Sequence, residues 1–439
     1  MRLRRALLGL LGVVLLGLAA FFYVGRQPAM PAIQPPLPAS FAAAEVARGA
    51  ELARLGNCNV CHTKQEGMPY AGGRPLQTPF GTIYSTNITP DLDTGIGSWS
   101  QAAFLRAMRE GVRRDGAHLY PAFPYDHFTK VSMGDLQALY SFLMTRQPVA
   151  AQAPRNTLPF PWSERALIAA WKLLYFRPGE LKSDPTLSAE LNRGAYLVEG
   201  LGHCGACHTP RNSLGAEQNH RYLGGGESEG WQAPALNAAS TSPVPWTTDQ
   251  LFSYLRNGFV APHGVAAGPM QPVANNLGAV AEPDVKAIAA YIGAIVGPPT
   301  AHRQGATRLP GTDGSARSAA PVPDASSSPT SADGAAIYAG ACALCHETTG
   351  QHFSAHGIRL TSSKVITMPD ARNLAHVILE GITPPDASPA ALMPGYAEVF
   401  TDAQITALMA YLRRAFSDQP TWSSLEETLR KARQTARER

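Results

Sequence analysis

Cys58-Asn59-Val60-Cys61-His62, Cys204-Gly205-Ala206-Cys207-His208 and Cys342-Ala343-Leu344-Cys345-His346 contain all six cysteines of the 439-residue chain. Two intervening residues place both thiols of a pair on one turn, where each can form a thioether with a vinyl group of the same heme. The histidine that follows then faces the iron, which is the c-type attachment signature. Close cysteine pairs also form disulfides, structural zinc sites and thioredoxin-like redox pairs. None of these readings puts a histidine directly after every pair. The three motifs therefore read as three covalent heme c sites, with His62, His208 and His346 as iron ligands.

The motifs stand 146 and 138 residues apart, room for one small domain each. Their flanks repeat as well. Arg48-Gly49-Ala50, Arg193-Gly194-Ala195 and Asp333-Gly334-Ala335 precede the first cysteine of each motif by about one helix, with Gly-to-Cys separations of 9, 10 and 8. Each copy later carries an apolar helix of one type, Ala138-Leu139-x-x-Phe142-Leu143, Ala287-Ile288-x-x-Tyr291-Ile292 and Ala407-Leu408-x-x-Tyr411-Leu412. The i, i+1, i+4, i+5 spacing is one helix face, and it predicts a last helix packed on the first. The expected fold is all-α, three tandem cytochrome c domains at 41–150, 186–296 and 334–416.

Composition marks the connections. Residues 27–40 hold Pro28, Pro31, Pro35, Pro36 and Pro38, a stiff extended spacer. Residues 151–185 link the first two domains and include an aromatic-rich helix from Trp162 to Phe176, suited to a membrane surface, a partner or an inter-domain contact. Residues 297–333 are rich in Pro, Ser, Ala and Gly with almost no large apolar side chain, a disordered tether for the third domain. Residues 417–439 form a basic tail with helical character from Trp422, read as solvated rather than lipid-bound.

Residues 6–24 are a 19-residue apolar run without a charge, behind Arg2, Arg4 and Arg5. Such a run reads as an export signal or a membrane anchor; it spans about 28 Å as a helix, close to the hydrocarbon thickness. The length, and Phe21, Phe22 and Tyr23 at its end, favour an uncleaved transmembrane anchor over residues 1–26, with Gly17-x-Ala19 a weak cleavage site. Basic flanking residues place the rest of the chain across the membrane, so the expected location is the cytoplasmic membrane with the heme domains in the periplasm. The net charge of +4 conceals a contrast: each end carries +4, leaving −4 for the body, which gives a nucleic-acid role no electrostatic support.

A methionine in the loop before the last helix supplies the sixth ligand in a His/Met carrier. Met270 stands 14 residues before Asp284, and Met393 stands 11 before the equivalent Gln404. In the first repeat Phe123 occupies this window, 12 residues before Asp135, and phenylalanine cannot ligate iron. His127 is the favoured substitute, with Met133 and His118 as alternatives and an empty sixth position as a further one.

The chain resembles the membrane-bound triheme cytochrome c subunits of bacterial periplasmic dehydrogenases. The resemblance rests on Thr78-Pro79-Phe80-Gly81-Thr82-Ile83-Tyr84-Ser85-Thr86-Asn87-Ile88-Thr89-Pro90-Asp91 with Thr94-Gly95-Ile96-Gly97-x-Trp99, on Gly230-Trp231-x-Ala233-Pro234-x-Leu236, and on Met393-Pro394-Gly395-Tyr396. It implies an electron-transfer subunit without a catalytic site of its own, fed by a dehydrogenase subunit of molybdenum, quinone or flavin type and delivering to ubiquinone or a terminal oxidase. The stretch Leu119 to Lys130 looks like the versions paired with molybdenum hydroxylases, which act on aldehydes or N-heterocycles and carry a small iron–sulfur subunit. Two rivals are a heme peroxidase-like enzyme using an open first heme, and a stand-alone redox wire.

Overall fold

The computed structural model describes residues 27–242, 244–261, 263–297, 333–346, 360–385 and 392–438, with a few isolated positions besides, Gly25 among them. The apolar run 6–24 lies almost entirely outside the described residues, and so do residues 298–332 of the expected tether. Among the described residues no helix is long and apolar enough to cross a membrane. Two compact units emerge, Met1–Asp184 with Glu199–His203 and Ser213–Ala216, and Pro185–Val198 with Cys204–Asn212 and Glu217–Arg439.

In the first unit, α1 (Ala43–Leu55) precedes the first motif and is followed by a hairpin of β1 (Pro75–Thr78) and β2 (Gly81–Tyr84). Helices α2 (Gln101–Glu110), α3 (Met133–Met144) and α4 (Leu167–Tyr175) complete it. Ser100 and Ser132 begin α2 and α3 by accepting from the backbone N–H three residues on, the arrangement that satisfies an orphan N–H of the first turn. The core lies where α1 crosses α3, with Leu52, Leu55, Leu136 and Leu139 fully buried.

The Pro-rich stretch 27–40, expected as a spacer, is strapped onto this unit. Met30 N–H donates to Arg114 O at 2.7 Å and Ile33 N–H to Ser98 O at 3.0 Å. Arg106 Nη1 reaches Pro28 O at 2.7 Å, and Gly116, at φ +85°, admits Gln27 O where any Cβ would collide. Prolines lack an N–H, so the segment is held through the N–H groups of its other residues and through carbonyls that the distant Arg106 and Arg114 reach as donors.

The second unit opens with α5 (Ala189–Tyr196), then β3 (Gly226–Ser228) and β4 (Trp231–Ala233), α6 (Thr248–Asn257), and a two-residue pair of β5 (Phe259–Val260) and β6 (Gly264–Val265). Helices α7 (Met270–Gly278) and α8 (Glu282–Val296) end the second repeat. The third repeat contributes α9 (Gly334–Ala341), α10 (Arg372–Glu380), α11 (Asp402–Phe416) and α12 (Leu425–Glu438). The architecture is mainly helical, but the all-α expectation needs correcting. Among the described residues three antiparallel two-stranded sheets are present, each too short to leave an alternating pattern.

The second and third repeats meet directly. Asn373 of α10 accepts from Gln232 N at 2.8 Å and donates back to Gln232 O at 2.9 Å, capping the open edge of β4. Trp231 stacks on His376 at 4.9 Å between ring centroids. The C-terminal segment, expected as a solvated tail, is the packed helix α12, with Leu429 and Ala432 buried in the core beside Leu374 and Ile378. Arg433 ties it to Asp402 at 2.7 Å.

Candidate functional site

Each attachment motif folds as a single helical turn, Cys58–Cys61, Gly205–His208 and Ala343–His346. None of the six cysteines is in a disulfide. Burial, then the second cysteine of the pair, pushes the Cys58 and Cys204 thiols up to about 12 and that of Cys342 up to about 11. Among the described residues no cysteine joins a cluster of three metal-ligating side chains. Neither a disulfide nor a protein-only zinc site is therefore assembled among the described residues.

Two of the three motif histidines are held by backbone carbonyls. His62 Nδ1–H donates to Thr86 O at 2.6 Å, and His208 Nδ1–H donates to Pro234 O at 2.7 Å. Burial lowers both below the ordinary imidazole value, against the opposing pull of those carbonyls. The tautomer is thereby set: Nδ1 carries the proton and Nε2 keeps its lone pair for a metal. Sequence reading missed Thr86 and Pro234 as partners, although both stand in the stretches that carried the family resemblance.

Those stretches are locking devices. Asn87 donates to Val149 O at 2.7 Å and to Thr94 Oγ1 at 3.0 Å, while its Oδ1 accepts from Thr89 N at 2.9 Å. Asp91 accepts from Thr94 N at 2.8 Å. A Cβ on Gly95 would come within 2.2 Å of Thr89 O, and one on Gly97 within 2.4 Å of Pro90 O. The loop after Thr86 is thus cross-linked to itself, which fixes the carbonyl that orients His62.

The methionine loops are equally set. Gly268, at φ +54°, lies flat on the Trp231 indole, where a Cβ would come within 2.4 Å of the ring, and Met270 starts α7 two residues later. Met393 exchanges both backbone hydrogen bonds with Ile382, at 2.9 and 3.0 Å. In the first repeat Phe123 packs edge-on against Phe128 at 5.2 Å. His127 is buried on the turn Tyr125–Phe128, and its Nδ1–H donates to Glu199 O at 2.9 Å. His118 has both ring nitrogens engaged, Nε2 with Gly25 O at 2.6 Å and Nδ1 with Lys172 Nζ at 3.0 Å. Met133 is exposed at the start of α3.

The buried polar atoms that lack a partner among the described residues include the Trp231 indole N–H beside the Met270 loop and the Tyr125 hydroxyl in the Phe123 window. Buried donors are rarely left unsatisfied, and a carboxylate-bearing group such as heme suits them. Thiol pairs, Nε2-presenting histidines and these donors fit covalent heme c.

Comparison with known proteins agrees. The family described as cytochrome C oxidase, cbb3-type, subunit III matches residues 329–412. A subunit of the nicotinate dehydrogenase of Pseudomonas putida is 45% identical over 426 residues, covering 96% of this chain and 34% of that protein. The chain thus spans about a third of that relative's length. The fructose dehydrogenase cytochrome subunit of Gluconobacter japonicus is 35% identical over 401 residues, covering 87% of this chain and 82% of that protein. The cytochrome c subunit of the quinone alcohol dehydrogenase of Gluconacetobacter polyoxogenes is 34% identical, with 89% and 84% covered. The Cys-x-x-Cys-His motifs, the locked histidines and likeness over nearly all of this chain lead to one conclusion: the chain belongs to the family of dehydrogenase cytochrome c subunits, which bind heme c covalently.

Proposed function

We propose that the chain is a triheme electron-transfer subunit that carries electrons from a dehydrogenase catalytic subunit to ubiquinone or a terminal oxidase, anchored by residues 6–24 with its hemes in the periplasm. The repeated Gly-against-Ala helix crossing before each attachment motif is the observation that carries three equivalent sites. Bound at such a site, heme c supplies a one-electron iron couple.

The chain's own residues set that couple. Thr86 and Pro234 hold His62 and His208 with Nε2 outward, and the fixed backbones at Met270 and Met393 present thioethers as sixth ligands. For the first site the proposed sixth ligand is His127, whose Nδ1 is held by a backbone carbonyl in the same manner as the two proximal histidines.

The favoured catalytic partner is a molybdenum hydroxylase acting on an aldehyde or N-heterocycle, accompanied by a small iron–sulfur subunit. Its support is the Leu119–Lys130 stretch, together with the identity to the nicotinate dehydrogenase relative across 96% of this chain. The rival, a quinoprotein alcohol or flavin sugar dehydrogenase partner, rests on lower identities near 35%. Purification of the native protein from membranes in mild detergent, with metal and cofactor analysis of what accompanies it, distinguishes them. Molybdenum and a small iron–sulfur subunit are expected; bound pyrroloquinoline quinone or flavin would move the substrate to alcohols or sugars. A chain that purifies alone would remove the dehydrogenase reading.

A further inference from the structure

Helix α4 has a composition unlike the other surface helices of the first unit. Its sequence, Leu167-Ile168-Ala169-Ala170-Trp171-Lys172-Leu173-Leu174-Tyr175, has one charge and no buried residue. That charge turns inward: Lys172 Nζ donates to Glu110 O at 2.5 Å, to Gly111 O at 2.8 Å and to His118 Nδ1 at 3.0 Å, filling the carbonyl end of α2. The outward face is left with Leu173, 78% exposed, and Leu174, 61% exposed. The corner leading into the helix is similar, with Phe160 82% and Trp162 40% exposed. An apolar surface of this kind on a folded unit marks a contact.

His118 says what lies beside it. Its Nε2 binds Gly25 O at 2.6 Å, its Nδ1 binds Lys172 of α4, and its backbone carbonyl accepts from Arg165 Nη1 at 2.7 Å. One residue thus pins Gly25, the helix and the chain leaving the Phe160–Trp162 corner. Gly25 directly follows the charge-free apolar run 6–24, and residues 27–33 are strapped to the same unit rather than holding it away. Arg165 and Lys172 are turned to backbone carbonyls of the unit, but Arg177 and Lys182 are exposed just past Leu174 and Glu180 between them is paired with Arg109 at 3.5 Å, which suits an anionic surface.

We propose that α4 and the Phe160–Trp162 corner lie in the headgroup layer of an anionic phospholipid bilayer, next to the point where the 6–24 segment enters it. Leu173 and Leu174 insert among the acyl chains, Trp162 sits at the interface, and Arg177 keeps its charge at headgroup level. The first unit then has a fixed orientation on the membrane in place of a free tether. This inference rests on the membrane reading of residues 6–24.

The test uses the full chain carrying a nitroxide at Leu173→Cys, Leu174→Cys or, as an aqueous control, the exposed Asp93→Cys, in vesicles of phosphatidylethanolamine and phosphatidylglycerol. Collision rates with dissolved oxygen and with a polar nickel chelate are read by paramagnetic resonance. Labels at 173 and 174 are expected to gain oxygen collisions and lose nickel collisions severalfold relative to 93. Vesicle-bound protein with nickel-accessible labels at 173 and 174 overturns the inference while leaving the anchor intact. Labels shielded from both reagents overturn it too, since protein then covers the face. A chain that does not associate with vesicles overturns both the inference and the membrane reading.

Discussion

Gly49 of α1 lies so close to Ala138 of α3 that a Cβ on the glycine would stand 1.9 Å from the Ala138 carbonyl oxygen and 2.7 Å from Phe142 Cβ. Gly194 meets Ala287 O and Tyr291 Cβ at 2.1 and 2.6 Å, and Gly334 meets Ala407 O and Tyr411 Cβ at 2.2 and 2.9 Å. The same close crossing recurs before all three attachment motifs. Backbone cannot yield as a side-chain tip can, so Gly49→Ala, Gly194→Ala and Gly334→Ala should each destabilise by about 2 kcal/mol or more. Thermal unfolding followed by circular dichroism measures this, and a wild-type transition in any one of them would remove that crossing from the account.

A salt bridge seals two of the crossings. Arg193 grips Asp284 bidentately at 2.7 and 2.8 Å, and Arg48 grips Asp135 at 3.2 and 3.3 Å. In the third repeat Asp333 instead caps its own helix through Ala335 N, and Gln404 closes a capping box with Thr401. Arg193→Ala should cost about 1 kcal/mol, as expected of a partly exposed bidentate pair. Asp333→Ala should cost a similar amount through lost capping, and unlike Arg193→Ala it should be insensitive to salt.

His263 lies flat against Trp246, 3.5 Å between ring centroids, and its Nε2–H donates to Gln250 Oε1 at 3.1 Å. Burial, helped by the Lys364 charge, lowers it from 6.5 to about 4. Between these values the unfolded chain binds a proton that the folded chain does not, so stability falls as pH drops from about 6.5 toward 4. Denaturant midpoints measured across this window should slope downward toward acid, and His263→Leu should flatten part of the slope.

Met270→Leu and Met393→Leu each remove a proposed thioether ligand. Each should lower the potential of one heme by more than about 60 mV, a tenfold shift in a one-electron equilibrium. Redox titration with optical detection reads it, and unchanged potentials would displace the ligand assignment.

Leu429 of α12 is fully buried against the third-repeat core. Leu429→Ala should cost about 2–4 kcal/mol, whereas a solvated tail would show no change on chemical denaturation.

Much of this was legible in residue spacing. The glycines that make the crossings stand 9, 10 and 8 residues before the first cysteine of each motif, because a close helix crossing tolerates nothing larger. The hairpins were not legible, since β3 through β6 span two or three residues and leave no alternation. The strap over residues 27–33 depends on Arg106 and Arg114, side chains about eighty positions away, and no local composition reveals that. Helix α12 hides its docking face: only Leu425, Leu429 and Ala432 recur at helical spacing among many charges, so its basic end dominated the reading. Thr86 and Pro234 act through backbone carbonyls, which residue type does not disclose.

The central claim is that each of the three Cys-x-x-Cys-His turns holds one heme through two thioethers. Intact mass spectrometry of the denatured chain tests it directly, because only covalent hemes survive unfolding. The account predicts the mass of the polypeptide plus three hemes, with no thiol left to react with an alkylating agent. A mass corresponding to two hemes or fewer, with an alkylatable cysteine pair in any motif, would contradict it.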